Sequence, residues 1–468
     1  MGAQASEKKL SRLQVGGMIA GAFAFIVPLA VDIPNLAEPG ERMLAIFLLA
    51  IIFWITEAIP LTATAVLVVL LEVLLVSNDA VVGLASQADL PKPDEYFAAL
   101  ANPIIILFLG GFLIADGAEK YGLDKNLAAF MLKPFTGSAR STVLGLMVIT
   151  ALLSMFMSNT ATTATMFAVV IPIIAGLPSA KARSGVALSI PLAANVGGIG
   201  TPVGTPPNAI AISALAEHGV RVSFLDWMVM AVPFMLLVLL GSWLLLCALF
   251  IPRGEKISIE MESDWNMSRQ AKIFYAVAAG TIALWMTEPI HRISSNTIGF
   301  IPVVALLCLR VMDGSDLKKL DWPVLWLVSG GIALGTGIGQ TGLDEWLVGS
   351  ISWQAMGAIA VIAVLGFIGL GFANVMSHSA AANLLAPLAV SLAVSLDDIN
   401  IVSIAAVVAI STSLGMSMPI STPPNAIAYS TGTVTLRDMA ILGIVVGIAG
   451  TILLVFALPH IWAVMGLV

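Results

Sequence analysis

A ten-residue string is written twice in this chain. Residues 202–211 read Pro-Val-Gly-Thr-Pro-Pro-Asn-Ala-Ile-Ala, and residues 419–428 repeat them with only Val203 replaced by Ile420 and Gly204 by Ser421. Each copy lies in an apolar segment otherwise able to cross a bilayer. A Pro-Pro pair there interrupts the helix, because proline lacks the N–H and clashes with the preceding turn. Irregular backbone persists at membrane depth only where protein or a polar cavity satisfies the freed groups. Two breaks in matching halves point to a binding site near the bilayer midplane, and so to a transporter.

Composition agrees with a chain that lives in the membrane. Of its 468 residues 59% are hydrophobic and 10% charged, and the mean hydropathy is +1.01. The longest polar stretches, Val76 to Glu95 and Arg253 to Gln270, leave no room for a folded soluble domain. Function must therefore reside within the bilayer. Cys247 and Cys308 each sit in an apolar span and form neither a metal cluster nor a disulfide framework, so both read as packing residues. Lys8, Lys9 and Arg12 precede the first apolar stretch, and no small-residue cleavage site is evident after it, which fits a retained first helix starting in the cytoplasm.

The expected fold is all-α and polytopic. Eleven crossings are read at 15–33, 43–57, 61–76, 101–118, 185–215, 226–251, 273–288, 297–309, 322–340, 401–428 and 439–463, with the fifth broken near Pro206 and the tenth near Pro423. The apolar segments 141–179 and 353–395 are interrupted by the polar runs Ser158 to Thr165 and Ser377 to Asn383, and read as re-entrant hairpins. With the N-terminus inside and the C-terminus outside, all but Arg42, Lys92, Arg221 and Arg292 of the 21 Lys and Arg fall on the cytoplasmic side. A multi-pass protein of the plasma membrane, the inner membrane of the cell, is expected.

The duplication extends beyond the ten-residue string. Trp54-Ile-Thr-Glu57 matches Trp285-Met-Thr-Glu288, and Gly110-Gly111 through Gly122-Leu-Asp124 matches Gly330-Gly331 through Gly342-Leu-Asp344 at an offset of 220. A tail and first helix (1–40), a first repeat (41–252), a cytoplasmic linker (253–270) and a second repeat (271–468) follow. An odd number of crossings separates equivalent points, so the repeats are inverted, which supplies a means of alternating access.

The first hairpin tip, Ser154-Met-Phe-Met-Ser158-Asn159-Thr160-Ala-Thr162-Thr163, is dense in short hydroxyl and amide side chains and carries no charge. Such groups, with carbonyls freed where a helix is interrupted, suit a desolvated small cation, and helix N-termini aimed into the same space favour an anion. Hydroxyls in membrane helices commonly serve as interhelical glue instead; their clustering at a break, twice, argues against that here.

Ser-Asn-Thr at a hairpin tip, followed some 45 residues later by Gly-Thr-Pro-Pro-Asn, resembles the signature of the divalent anion/sodium symporters. The resemblance spans nearly the whole chain. It implies a homodimer of eleven-span protomers, each with a scaffold domain and a transport domain that moves as an elevator. It also implies that Ser158, Asn159, Thr160, Thr205 and Pro206 line the anion site, and that Ser154, Ser158, Asn159 and the carbonyl of Gly204 bind a first sodium ion. The expected partners are a small anionic substrate, the lipid bilayer and a second copy of the chain, with Na+ as co-transported ion and no nucleic acid.

The second repeat departs from the family pattern. Ser377-His378-Ser379 stands where another Ser-Asn-Thr is expected, and Ala373 where a threonine is. Thr422 and Pro423 would still face the anion, while Met376 and Ser421, through their carbonyls, and His378 would form the second sodium site. A neutral imidazole is a poor ligand for a hard cation, which puts that site in question. Three readings of His378 stay open: a proton carrier in place of the second sodium, a direct donor to substrate carboxylate, or a histidine satisfied within the hairpin.

Other features read as structural. Ser294-Ser295-Asn296-Thr297 lacks a following Pro-Pro-Asn and reads as a helix N-cap. Glu57 and Glu288 read as anchors or local partners at span ends, and Asp116 as locally hydrogen-bonded. The glycines at 110, 111, 330 and 331 permit close packing or a helix break. The expected function is sodium-coupled transport of small divalent anions, C4-dicarboxylates such as succinate first. Sulfate, a larger carboxylate, proton coupling and anion exchange are the alternatives. His378 beside two serines does not make a hydrolase, since sequence adjacency establishes no nucleophile-to-base geometry.

Overall fold

The computed structural model describes residues 10–81, 90–135, 137–252, 264–350, 353, 356–396 and 398–464. Lys8, Lys9 and most of the 253–270 linker lie outside them. The described residues form helices and no strand. In chain order these are α1 (Arg12–Ala30), α2 (Glu38–Thr56), α3 (Leu61–Leu75), α4 (Pro93–Ala98), α5 (Pro103–Lys120), α6 (Leu123–Leu132), α7 (Ala139–Ser154) and α8 (Asn159–Gly176). They continue as α9 (Ala180–Gly198), α10 (Pro206–Glu217), α11 (Phe224–Leu249), α12 (Arg269–Met286), α13 (Glu288–His291), α14 (Ser295–Cys308), α15 (Gly314–Lys319) and α16 (Trp322–Gln340). The last are α17 (Leu343–Gly349), α18 (Ala358–Val375), α19 (His378–Ser395), α20 (Ile401–Ser413), α21 (Pro423–Ser430), α22 (Leu436–Phe456) and α23 (Leu458–Val464).

Nine of the described helical segments are long and apolar enough to span a membrane, and four shorter apolar helices accompany them. The expected hairpins fold as the pairs α7–α8 and α18–α19. Helix ends refine the expected spans. The α2 helix starts at Glu38, where an acidic first turn and Pro39 favour initiation. The α12 helix starts at Arg269, capped by Ser268. The last span is two helices separated at Ala457. Cys247 is buried as expected, but Cys308 is exposed at the end of α14.

The prolines also act differently from the expectation. The breaks occupy residues 199–205 and 414–422, before Pro206 and Pro423, and each Pro-Pro pair opens the second half-helix. Proline is tolerated in a first turn, where its missing N–H would find no intrahelical partner. Glycine ends the first half instead, at Gly198 in α9.

The twin glycine pairs prove to be packing sites on unbroken helices. A Cβ on Gly110 of α5 would run into the backbone of Gly299 in α14, and one on Gly330 of α16 into the backbone of Ala65 in α3. The next residues face the other way: a Cβ on Gly111 would stand 3.3 Å from Val203 in the first break, and one on Gly331 would run into the side chain of Asn383 in α19. One face of each helix thus grips α3 or α14, and the other lies against the hairpins and broken helices. The Gly110→Ala variant is expected to lose about 1–3 kcal/mol and to melt several degrees lower in detergent, because backbone cannot yield. Gly241→Ala, with open space around its Cβ, is the matched control and should melt no lower than wild type.

Candidate functional site

Four helices begin at one place. The N-cap residues of α8, α10, α19 and α21 are Ser158, Thr205, Ser377 and Thr422, and all four line a single cavity. Ser158 Oγ accepts from the Ala161 N–H at 3.2 Å, and Ser377 Oγ accepts from the Ala380 N–H at 3.2 Å. Each hydroxyl proton stays available to a solute. Each hairpin turn and each break supplies one N-terminus.

The cavity measures about 140 Å³, well below the ~300–1,000 Å³ typical of drug-sized ligands, so its solute is small. Its wall also holds Asn159, Thr160, Gly204, Pro206, His378, Ser379, Ser421 and Pro423. Of the residues singled out from sequence, Ser154 and Met376 are buried behind this wall. Seven wall residues went unforeseen: Phe108 and Phe112 of α5, Asn195 of α9, Val203 in the first break, Asp321 and Val324 at the start of α16, and Pro424 of α21. Asp321 is the acidic member of the wall; its side chain accepts from the Val324 N–H at 3.4 Å.

The unwound segments are held by the asparagines of the duplicated string. Asn208 Nδ2 donates to the carbonyls of Gly198, Ile199 and Thr201 at 3.0, 3.2 and 2.8 Å. Asn425 Nδ2 donates to those of Met416 and Met418 at 2.8 and 3.1 Å. Trp227 of α11 adds an indole N–H to the Ile199 carbonyl at 3.0 Å. Carbonyls freed by each break are thereby satisfied inside the protein, as membrane depth requires. The hairpin turns are tied to the breaks as well: Thr201 donates its hydroxyl to the Met155 carbonyl, and the Ser417 N–H donates to Asn374 Oδ1 at 2.9 Å.

One end of the Asn159 amide faces three oxygens, Ser154 Oγ at 2.6 Å and the carbonyls of Gly204 and Ala194 at 3.2 Å each. With nitrogen inward, the amide donates to them. With oxygen inward, four oxygens converge with only the Ser154 hydroxyl proton among them, shared between Asn159 Oδ1 at 2.6 Å and the Ala194 carbonyl at 2.8 Å, a set that suits a hard monovalent cation. The Ala194 carbonyl is an addition to the set read from sequence. Among the described residues no group of three or more His, Cys, Asp or Glu could hold a metal, so any ion here would be bound by neutral oxygens.

The second repeat lacks this cage. His378 Nε2 lies 2.9 Å from the Gly415 carbonyl, and that carbonyl can only accept, so Nε2 carries a proton. The ring is buried on the cavity wall. Ala373, opposite Ser154 in the repeat, offers no hydroxyl, and Ser421 Oγ donates to its own Met418 carbonyl at 2.7 Å. Two halves of one cavity are therefore chemically unlike.

Asn195 joins them. Asn425 turns its nitrogen to its own break, so its Oδ1 faces Asn195 Nδ2, which donates to it and to Thr422 Oγ1, both at 3.3 Å. The equivalent residue of the second repeat, Thr412, bonds only to Ala409 in its own helix. Nothing in periodicity or motif marks Asn195; its role depends on a contact across 230 residues of sequence.

Among the structural expectations, Ser294 caps α14 by accepting from the Thr297 N–H at 3.4 Å. Glu288 accepts from Ser295 Oγ, a local pairing as expected. Asp116 differs from the expectation, since its Oδ2 is buried without a hydrogen-bond partner.

Comparison with known proteins places this architecture. The chain is 28% identical to the sodium-dependent dicarboxylate transporter SdcS of Staphylococcus aureus, with 97% of this chain and 92% of SdcS covered. In fold it is similar to the YdaH transporter of Alcanivorax borkumensis (TM-score 0.52, 13% identity, 90% of this chain and 98% of the other). It is similar also to the Neisseria gonorrhoeae efflux pump MtrF (TM-score 0.54, 13% identity, 97% and 96%). Residues 12–468 match the family model described as the sodium:sulfate symporter transmembrane region. The relatives are transporters rather than enzymes, and by this match over nearly its whole length the chain belongs to the sodium:sulfate symporter family.

Proposed function

We infer that the protein carries small divalent anions across the plasma membrane together with sodium, with C4-dicarboxylates such as succinate as the first substrates. The observation that carries this reading is the meeting of four helix N-termini in a small cavity without a Lys or Arg on its wall. Each N-terminus is equivalent to ~+0.5 charge, so four supply roughly +2, the complement of a doubly ionised acid. The hydroxyls of Ser158, Thr160, Ser377, Ser379 and Thr422 are uncharged donors for its carboxylates. Asp321 opposes an anion, and a cation bound in the Asn159 cage offsets that repulsion.

Coupling follows from the same geometry. An ion among Ser154, Asn159, Ala194 and Gly204 fixes the turn before α8 and the break before α10, whose N-termini face the solute. Sodium therefore raises anion affinity, and the anion raises sodium affinity by the same factor. The second cation site read from Met376, His378 and Ser421 is left out of this reading, because the imidazole N–H and the Gly415 carbonyl already satisfy each other.

The cavity runs into a vestibule lined by Asp116, Lys319, Leu320 and Pro323. By the distribution of basic residues that end is cytoplasmic, which makes the conformation inward-facing. An elevator motion of the hairpins and broken helices against α3, α5, α14 and α16, in a homodimer of eleven-span protomers in inverted repeats, completes the proposal; the two-faced packing of α5 and α16 supports it.

The test is uptake of radiolabelled succinate by proteoliposomes. An inward sodium gradient is expected to drive accumulation, and potassium in its place is not. Uptake that ignores sodium and follows a proton gradient would overturn the coupling. Competition by unlabelled sulfate stronger than by succinate would reassign the substrate.

A further inference from the structure

Glu72 of α3 is fully buried, and neither of its carboxyl oxygens has a hydrogen-bond partner. Within electrostatic reach lies the Tyr96 hydroxyl of α4, likewise fully buried and without a partner. Space for the carboxyl is made by Gly337 of α16, whose Cβ would fall 2.6 Å from Glu72 Oε1.

Packing does not require an acid at this position. Ala65 meets Gly330 as Gly299 meets Gly110, so the crossing of α3 with α16 repeats that of α14 with α5. Seven residues on, Glu72 corresponds to Leu306, which is also fully buried. Leucine fills the crossing in one repeat; the carboxyl in the other has a different role.

The charged and titratable neighbours come from four helices. From α2, Arg42 is engaged with the Leu75 carbonyl at 3.0 Å and with Glu38 at 2.6 Å. The α4 helix brings Tyr96 and Glu95, the latter accepting from the Lys92 N–H at 3.2 Å. The α16 helix brings no titratable group. From α10, Glu217 lies within reach of Glu72; the residue keeps solvent-accessible surface but turns its carboxyl toward α16, with Oε2 3.4 Å from where a Cβ of Gly335 would stand and Thr336 as its hydrogen-bond partner. Thr336 Oγ1 also lies 3.1 Å from the Ile332 carbonyl, so its one proton serves either that carbonyl or the Glu217 carboxyl.

An ionised carboxylate with neither a donor nor a paired cation is not sustained in such a place, whereas a neutral acid is. We propose that Glu72 is a proton-binding site, remote from the anion cavity, which exchanges with solvent on the side that Glu217 faces and responds to the position of α10. Val324 on the cavity wall and Gly337 beside Glu72 lie 13 residues apart on α16, ~20 Å at the helical rise, so the proton does not belong to the anion site. The site stands on its own geometry; its link to transport rests on the reading that α10 moves against α16. In the conformation seen here the proton is held, and any conformation that opens Glu72 to water releases it. Protons on that side therefore favour the present conformation.

Dicyclohexylcarbodiimide separates the two parts. It adds only to a protonated carboxyl: the acid's proton goes to one carbodiimide nitrogen, the carboxyl oxygen bonds to the central carbon, and acyl migration to the other nitrogen gives an N-acylurea with no atom lost. Peptide mass spectrometry of the labelled, purified full-length protein is expected to find the adduct on Glu72 in mildly acidic buffer. It should be lost in Glu72→Gln and in Glu72→Leu, the second copying Leu306. Infrared spectra of wild type against Glu72→Gln should show one protonated-carboxyl stretch missing from the variant. An unlabelled Glu72, with only carboxylate bands in that difference, overturns the proton site whatever the transport result. For the link, sodium-driven succinate uptake should vary with the pH on the Glu217 side in wild type, and that dependence should be lost in both variants. Superimposable pH profiles, or variants without the label but with an unchanged profile, overturn the link.

Discussion

Replacing Asn159 with alanine abolishes sodium-driven accumulation of succinate while leaving the protein folded. The amide end that faces Ser154 Oγ, the Gly204 carbonyl and the Ala194 carbonyl can present either a donor or an acceptor to all three. Its loss leaves three oxygens with no amide to close the shell when an ion is present, and only the Ser154 hydroxyl, which donates to the Ala194 carbonyl at 2.8 Å, when it is absent. A hydrogen bond to a charged partner is worth ~1.5–3 kcal/mol, so sodium affinity should fall on the order of 10- to 100-fold. By reciprocity the anion's affinity loses its sodium dependence as well. Isothermal titration of sodium, with uptake measured in parallel, reads both. Asn159→Asp is the control, since it keeps an inward oxygen: it should retain sodium binding and weaken the anion through added negative charge. Wild-type sodium affinity in Asn159→Ala would exclude the cage as the coupling ion's site.

The sequence told more about where this site lies than about how it is assembled. The duplicated string located both breaks, because proline's missing N–H is a local property that needs no tertiary context. The breaks lie directly before the prolines rather than at them, because the same property suits proline to a first helical turn, and it is the preceding glycine and serine backbone that unwinds. Ser158, Thr205, Ser377 and Thr422 were legible as polar residues at interruptions, but not as the caps of four helices sharing one cavity. Asn208 and Asn425 stood in plain view inside the repeated string; the signal that could have revealed them is that each break frees carbonyls for which some nearby amide must supply donors. The Ala194 carbonyl carries no side-chain signature at all. Asn195 and Asp321 reach the cavity only because the two repeats, and the start of α16, fold against one another. The glycine pairs were legible as small residues, but only the crossing partners Gly299 and Ala65 decide that they are packing sites rather than breaks.

His378 supplies the second large effect, because it stands where the first repeat has Asn159. Its Nε2–H and the Gly415 carbonyl satisfy each other at 2.9 Å, so the carbonyl is not free to face an ion and the ring presents no oxygen. A cation shell in the second repeat thus lacks the amide oxygen and the hydroxyl that Ala373 does not provide. Wild-type uptake should accordingly depend on sodium with a Hill coefficient of about one, since the coefficient is bounded by the number of sites. In the His378→Asn, Ala373→Thr double variant both missing oxygens return, and the coefficient should rise toward two. The single His378→Asn change should raise it less, because one oxygen is still absent. Each added sodium brings a positive charge inward, worth ~2.3 kcal/mol per 100 mV, so the double variant should also accumulate succinate to a higher level under an inside-negative potential imposed by valinomycin and potassium. A wild-type coefficient near two would show that a second ion binds despite the imidazole. An unchanged coefficient in the double variant would show that the hairpin tip, rather than its missing oxygens, sets the stoichiometry.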